Sequence, residues 1–212
     1  MYQALSNLTL TTEPGSNYRY SNFGLGLLGH MLSLKAGGIP YEQLVTDKIL
    51  NVLGMNDTRI TLSEAFKARL AVGHKTGQEI KTPELPEVIA GAGAFYSSAT
   101  DLLKYASANL GLIHSKLDDA MQQSHLIIKA AQFKNIANYY GYTGLGWRIL
   151  TDLGTENISH PGGINGYNSF IGFNPARQIG VVILCSCDNT DVNVENMGFA
   201  LLDVPVNITS IH

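Results

Sequence analysis

The first part of the chain is patterned for helices. After a Pro-Gly turn at residues 14–15, apolar residues recur at helical spacing over residues 23–32 and stop at Gly37-Gly38. Residues 40–53 show a second amphipathic pattern. The first run contains three glycines, which would weaken a lone helix and therefore indicate close packing against another backbone: Gly24, Gly26 and Gly29.

The middle of the chain combines an irregular stretch with further helices. Residues 73–93 carry four glycines and two prolines, which favours a long irregular crossing. Ser98 and Asp101 form a capping box, in which each side chain satisfies a free N–H at a helix start. A helix to about Asn109 should follow, and residues 116–130 should form another.

The last part of the chain changes to a strand pattern. Residues 146–150, 167–173 and 179–185 are predicted strands, and an Asn174-Pro175 turn joins the last two. A final helix is predicted over about 192–202.

Helices first and strands afterwards predict an α+β fold, with a helical lobe packed beside an antiparallel β-sheet. We expect residues 1–140 to form the helical lobe and residues 141–212 to form the sheet strands and the C-terminal helix.

Composition excludes several classes of partner. Of the 212 residues, 45% are hydrophobic and 15% are charged, which is typical of a globular protein. A net charge of −3 without basic runs argues against nucleic acid. No apolar run reaches the ~20 residues of a membrane span, and residues 1–6 do not resemble a signal peptide. These features leave the localisation of the protein open.

The cysteines and histidines suggest neither a bridge nor a metal. Cys185 and Cys187 are two apart in a predicted strand, where a disulfide would be strained, so buried thiols are expected. The six histidines form no short-spaced pair. We therefore expect no metal and no cofactor.

Two motifs carry the candidate chemistry. Tyr20-Ser21-Asn22 opens the first apolar helix, and His160-Pro161-Gly162-Gly163 precedes two predicted strands. Together with the block at residues 90–102 and the one from Gly144 to Pro175, they occur in the order and approximate spacing of a known family. The chain resembles the penicillin-recognising serine hydrolases: class C β-lactamases, D-alanyl-D-alanine carboxypeptidases and family VIII-type esterases.

This resemblance implies a β-lactamase/transpeptidase-like fold with the site in a crevice between the lobe and the sheet. It implies that Tyr20 relays the proton of a nucleophile, which a phenol can do only if positive neighbours favour its anion or if it passes the proton on in concert. It implies that Asn22 holds the amide carbonyl of a substrate. An alternative for Asn22 is a helix N-cap, and both can hold at once.

The second motif would supply the sheet side of the site. His160, expected at the start of a strand, stands where many relatives have lysine and can be neutral or cationic near pH 6.5. Pro161 replaces a threonine and removes a hydroxyl and an N–H that relatives use on a substrate carboxylate. Gly162 is expected to contact substrate, and Gly163 resembles the residue whose N–H forms half of the oxyanion hole.

The third family motif, Ser-x-x-Lys, is missing, because no lysine of the chain has serine or threonine three residues before it. Lys75-Thr76-Gly77 matches a family motif by letters but is expected to be a surface turn. No Gly-x-Ser-x-Gly motif replaces the nucleophile.

Two hypotheses emerge from these motifs. The chain is either a fragment or truncated member of the family, incomplete at the N-terminus and inactive alone, or a non-catalytic peptide- or protein-binding module on the same fold. The resemblance implies a small-molecule or peptide substrate for the parent enzyme. It also implies that residues 179–185 lack a neighbouring strand, so that the chain self-associates or binds a complementary N-terminal segment.

Overall fold

The structure, a computed structural model, describes residues 1–132, 140–152, 154–188 and 193–202, and these form the predicted α+β arrangement. The strands with described bounds are β1 (Gly73–Lys75), β2 (Gln78–Ile80), β3 (Lys129–Gln132), β4 (Tyr140–Thr143), β5 (Arg148–Asp152), β6 (Thr155–Ile164), β7 (Tyr167–Asn174), β8 (Ile179–Cys185) and β9 (Cys187–Asp188). The α-helices are α1 (Tyr2–Ser6), α2 (Asn22–Lys35), α3 (Tyr41–Val45), α4 (Asn51–Leu53), α5 (Glu64–Lys67), α6 (Ala99–Asn109), α7 (Asp118–Ser124) and α8 (Val194–Leu201). The predicted start of the last helix, Val192, lies outside the described residues.

Two of the glycines of α2 allow the close approach that the sequence predicted. A Cβ atom at Gly26 would lie 3.0 Å from the Cα of Ile89, and one at Gly29 would lie 3.0 Å from the Cα of Gly91. Both contacts are with a 3₁₀ helix, Glu87–Ala92. This helix and the β1–β2 hairpin lie in the stretch that was expected to be irregular. Thr76 and Gly77 form the exposed hairpin turn, as predicted, whereas Lys75 is the last residue of β1.

The helix predicted over residues 40–53 is interrupted. A π-helical turn, Thr46–Leu50, separates α3 from α4, and Gly54 ends the segment with a left-handed φ of 65°. The wider turn rotates α4 relative to α3. As a result Val45, Leu50 and Leu53 all pack on one cluster with Met121.

Half of the predicted capping box is wrong. The Ser98 hydroxyl accepts the Asp101 N–H at 3.2 Å, as predicted. The Asp101 carboxylate is used elsewhere, because it is 2% exposed and accepts from the Thr58 hydroxyl, the Asp57 N–H and Lys104. It therefore ties the start of α6 to the loop after α4.

Within the described residues, the main sheet has six antiparallel strands in the order β3-β4-β5-β6-β7-β8. On one face Phe170 and Phe199 of α8 meet edge to face at 5.3 Å. On the other face Ile158 and Phe173 pack with Trp147. The sheet is thus covered on both faces. The division into a helical lobe at residues 1–140 and a sheet region at residues 141–212 remains a prediction. The structure places that boundary within β4.

The thiol prediction for the cysteines is wrong, because Cys185 and Cys187 form a disulfide. The chain does not run straight through both residues: it bends at Ser186 and leaves β8 for β9. The bend brings the two Cα atoms to 5.2 Å, within the range that a disulfide spans. β9 then pairs in parallel with β1 in a second, three-stranded sheet.

Candidate active site

The start of α2 is set by Ser21. Its backbone is extended, with φ −148° and ψ 111°, and its hydroxyl accepts the Gly24 N–H at 2.9 Å. Ser21 is therefore the N-cap, and the N-cap alternative for Asn22 is wrong. Asn22 is the exposed first residue of the helix, and no hydrogen bond of the described residues uses its carboxamide.

Tyr20 and His160 come together although they are far apart in sequence. Their ring centroids are 6.4 Å apart and the rings are inclined by 40°. Tyr20 is 55% exposed, so its phenol borders solvent. His160 lies in the middle of β6, which corrects the expectation of a strand start, because β6 pairs with β7 from Ile158 onward. The pair joins the start of α2 to the sheet.

The protonation of His160 follows from one hydrogen bond. Its Nδ1 atom lies 2.7 Å from the carbonyl oxygen of Pro161. A carbonyl oxygen only accepts, so Nδ1 carries the hydrogen and donates it. In the neutral imidazole Nε2 then has the free lone pair. The ring is thereby prepared to accept a proton at Nε2.

The surroundings of His160 favour this neutral form. Burial lowers the pKa of His160 below its usual value, and the positive charge of Arg148 lowers it further. The bond to Pro161 acts in the opposite direction and raises it. Arg148 is itself paired with Glu195 of α8 at 2.7 Å. These surroundings therefore favour an uncharged His160 ring at this position.

Beyond Ser159, one edge of β6 is open. β5 pairs with β6 only as far as Ser159, whereas β7 continues to Ile164. Within the described residues no strand covers the rest of that edge. Ile164 and Tyr167 flank a two-residue turn, so the N–H of each donates to the carbonyl oxygen of the other. Along an antiparallel pair, such hydrogen-bonded residue pairs alternate with pairs whose backbone groups point away from the partner strand.

By this alternation Pro161 and Gly163 direct their backbone groups away from β7, toward the open edge. The proline agrees with this orientation. Because proline has no backbone N–H to donate to β7, it must occupy a position whose backbone groups face away from β7. The Gly163 N–H is thus placed at the open edge, where a bound carbonyl oxygen could accept it.

Gly162 and Gly163 owe their identity to neighbours on β7. A Cβ atom at Gly162 would overlap the hydroxyl oxygen of Ser169. One at Gly163 would lie 3.3 Å from Oδ1 of Asn168, which is a tight contact. The glycines thus leave room for these side chains, and a Cβ atom at either position would require its neighbour on β7 to move.

Sequence reasoning missed three residues that shape the site: Arg148, Ser169 and Asn168. Each lies on a strand next to β6: Arg148 is opposite Ser159, Ser169 is opposite Gly162, and Asn168 is opposite Gly163. Only the register of the strands identifies them, and no local motif marks them. For Ser169 and Asn168 the available signal was the number of residues on each side of the turn at 165 and 166.

The described residues hold no group of three or more His, Cys, Asp or Glu side chains that could bind a metal ion. Among their helices, none is both long and apolar enough to cross a membrane.

Solved structures share the fold. A class C beta-lactamase superposes with a TM-score of 0.81 at 20% identity, covering 94% of this chain and 60% of that one. The D-alanine carboxypeptidase AmpC from Burkholderia cenocepacia gives a TM-score of 0.78 at 22% identity, covering 95% of this chain and 65% of the other. At this identity the likeness shows the fold alone.

Curated relatives are similar in sequence over most of the chain. Human "Putative beta-lactamase-like 1" is 28% identical over 186 residues, which is 85% of this chain and 36% of that protein. The "D-alanyl-D-alanine-carboxypeptidase/endopeptidase AmpH" of Escherichia coli K12 is 28% identical over 191 residues, which is 86% of this chain and 49% of that protein. The chain therefore spans half or less of the length of these relatives.

A model of the Beta-lactamase family matches residues 1–204. The match agrees with the shared fold. The chain belongs to the beta-lactamase family of β-lactamase-like serine hydrolases.

Proposed function

We propose that this chain supplies the proton-relay and oxyanion side of an acyl-transfer site and is inactive by itself. The complete site would hydrolyse a β-lactam, a D-alanyl peptide or an ester through an acyl-serine. The observation that carries the proposal is the Tyr20–His160 pair, in which the Nδ1 hydrogen of His160 is committed to Pro161.

The relay would work through Nε2 of His160. As a serine hydroxyl attacks the substrate carbonyl, the Tyr20 oxygen accepts the hydroxyl proton while its own proton moves toward Nε2. The lowered pKa of His160 keeps this nitrogen unprotonated at neutral pH. Asn22 would hold the amide of the substrate.

The oxyanion side would be the open edge of β6. There Gly163 offers a backbone N–H to the developing charge, and one such donor contributes about 3 kcal/mol to transition-state stabilisation. Gly162 allows the substrate to approach the strand, because no side chain covers the backbone at this position.

The attacking hydroxyl must come from outside these 212 residues, since the chain contains no Ser-x-x-Lys. Nucleophile, base and oxyanion donors act as a unit, so removal of one eliminates most of the rate. The isolated chain should therefore not turn over substrate.

The test combines the chain with a separate nucleophile. We expect no hydrolysis of a chromogenic cephalosporin or a nitrophenyl ester by the chain alone, and no penicilloyl or fluorophosphonate adduct by mass spectrometry. Adding the part of the AmpH protein that this chain does not match should restore activity. The Tyr20→Phe variant should remove it, whereas Tyr2→Phe, at an exposed tyrosine of α1, should not. An adduct on a serine of the chain itself would contradict the proposal.

The open edge of β6 also favours a second candidate, a non-catalytic module that binds peptides. A peptide could add as a strand beside Pro161 and Gly163, using main-chain hydrogen bonds. Titration with a D-Ala-D-Ala peptide would then shift the Gly163 amide resonance, and the AmpH segment would restore no activity. Hydrolysis in the complemented mixture favours the first candidate instead.

A further inference from the structure

The Cys185–Cys187 disulfide encloses the residue at which the chain changes sheets. Cys185 ends β8, Ser186 forms the bend, and Cys187 begins β9. Cys185 lies opposite Asn168 of β7 in the ladder. The Asn168 side chain also donates to the Cys187 carbonyl at 2.9 Å. Asn168 is thus bonded on both sides of the bend.

Asn168 also touches the candidate oxyanion strand. It lies opposite Gly163 in the β6–β7 ladder. Its Oδ1 atom would be 3.3 Å from a Cβ atom at Gly163, so the carboxamide covers that face of the glycine. Direct contacts therefore lead from Cys187 through Asn168 to Gly163.

The other side of the bend is tied to the small sheet. The Ser186 carbonyl accepts the backbone N–H of His74 at 3.0 Å, and His74 lies opposite Cys187 in the β1–β9 pairing. The same N–H lies 3.3 Å from the carbonyl of Gly166, in the turn that follows β6. A movement of the bend would consequently reach the end of β6 by two routes.

We propose that Cys185 and Cys187 form a thiol–disulfide exchange site, and that its redox state sets the position of Gly163 through Asn168. The oxyanion role of Gly163 rests on the proposed function, whereas the exchange and the movement do not. The disulfide closes a loop with one intervening residue, and disulfide stabilisation decreases as the enclosed loop shortens. Its reduction should therefore leave the fold intact.

The exchange needs a dithiol reductant. One thiolate of the reductant attacks a cysteine sulfur to give a mixed disulfide and releases the other cysteine as a thiolate. The second thiol of the reductant then attacks the reductant sulfur of that mixed disulfide and releases the second cysteine as a thiolate. The products are two cysteine thiols and an oxidised reductant, with two electrons and two protons transferred. Both cysteines are only half-buried, which gives the reductant access.

Reduction removes one constraint on the bend, which the pairing of β9 with β1 also holds. The Cα atoms of Cys185 and Cys187 are then no longer tied at 5.2 Å, so Ser186 can relax toward the extended spacing of a strand. The Cys187 carbonyl moves from the Asn168 carboxamide, and the Asn168 contact with Gly163 changes with it.

The test is nitrogen-15 NMR of the whole chain before and after reduction with dithiothreitol. We expect the resonances of the Asn168 carboxamide and the Gly163 amide to shift. We also expect hydrogen exchange of the His74 amide to become about tenfold faster as its bond to Ser186 loosens. Reoxidation should restore all three signals.

Three variants isolate the route. The double variant Cys185→Ser/Cys187→Ser should resemble the reduced protein and stop responding to dithiothreitol. Ser186→Ala keeps the disulfide and should respond as the parent does. In Asn168→Ala the His74 amide should still respond, and the shift of the Gly163 amide should be smaller than in the parent, because only the route through His74 and Gly166 is left. None of these readouts uses a substrate, so they can succeed or fail independently of the acyl-transfer proposal.

Two outcomes would overturn the inference. The first is complete alkylation of both cysteines before any reductant is added, which would show free thiols. The second is complete reduction, verified by alkylation, with the Gly163 and Asn168 resonances unchanged.

Discussion

Arg148 of β5 and Glu195 of α8 form an ion pair at 2.7 Å, with their side chains 20% and 10% exposed. Burial raises the pKa of Glu195, while the guanidinium of Arg148 opposes that rise. The same guanidinium lowers the pKa of His160. The pair therefore connects the α8 side of the sheet with the charge state of the candidate base.

Removal of this positive charge should raise the pKa of His160 toward its usual value. The double variant Arg148→Gln/Glu195→Gln removes both charges together, because a lone buried charge would itself destabilise the protein. Imidazole NMR titration measures the change. His125 is the internal control, since burial alone lowers its pKa and its resonance should titrate as before. An unchanged His160 would show that burial sets its pKa without Arg148.

The lowered pKa of His160 also predicts how stability depends on pH. The unfolded chain binds the proton more readily than the folded protein, so the stability contribution of a neutral His160 is complete above about pH 6.5. It is lost as the pH falls from there through the folded-state pKa. Urea unfolding at pH 7.5 and pH 5.5 should show this decrease, and His160→Gln should make it smaller. An equal decrease in the variant would assign the effect to other groups, such as His125.

The sequence predicted those parts of the fold that local signals determine. Ser98 caps α6, and the turn at 174 and 175 joins two strands at the predicted place. The glycines at 26 and 29 indicated close packing without revealing which backbone approaches. Local signals were less decisive where two residues of similar chemistry compete, as Ser21 and Asn22 do for the cap of α2.

Features that depend on distant partners could not be predicted. The bend at Ser186 exists because the chain leaves one sheet and pairs with β1, more than a hundred positions earlier. From the sequence alone Cys185 and Cys187 looked like two residues of one straight strand. The effect of Arg148 on His160 likewise depends on the register of β5 against β6. For the site, motif order indicated Tyr20 and His160, and the resemblance placed both in one crevice; the structure adds the distance of 6.4 Å between their rings.

The Gly162–Ser169 contact predicts a compensating pair of substitutions. Gly162→Ala should lower the free energy of unfolding by about 1 kcal/mol, because its Cβ atom overlaps the Ser169 hydroxyl oxygen, which must rotate away. Adding Ser169→Ala removes that oxygen and leaves the Cβ of residue 169 at 3.7 Å, an ordinary contact. The double variant should therefore regain most of the loss in urea unfolding. Additive effects of the two changes would show that the clash is relieved in another way.

Among the described strands, β8 lies at the end of the main sheet, and we expect it to mediate association. By the alternation set by the turn at 165 and 166, Gly180, Val182 and Leu184 direct their N–H and C=O groups away from β7. The strand from Ile179 to Cys185 carries no charge that would oppose pairing with another chain.

A charge on this edge should prevent the association. We expect light scattering to show dimers or larger species of the parent chain, or a complex with a complementary segment. Leu184→Lys should shift the parent toward monomer, because Leu184 is 44% exposed on the edge strand. Leu145→Lys is the matched control, since Leu145 is 63% exposed in the loop before β5 and the same charge there should have no effect. A parent chain that is monomeric at high concentration, with residues 179–185 protected from hydrogen exchange, would mean that the edge is already covered within the chain.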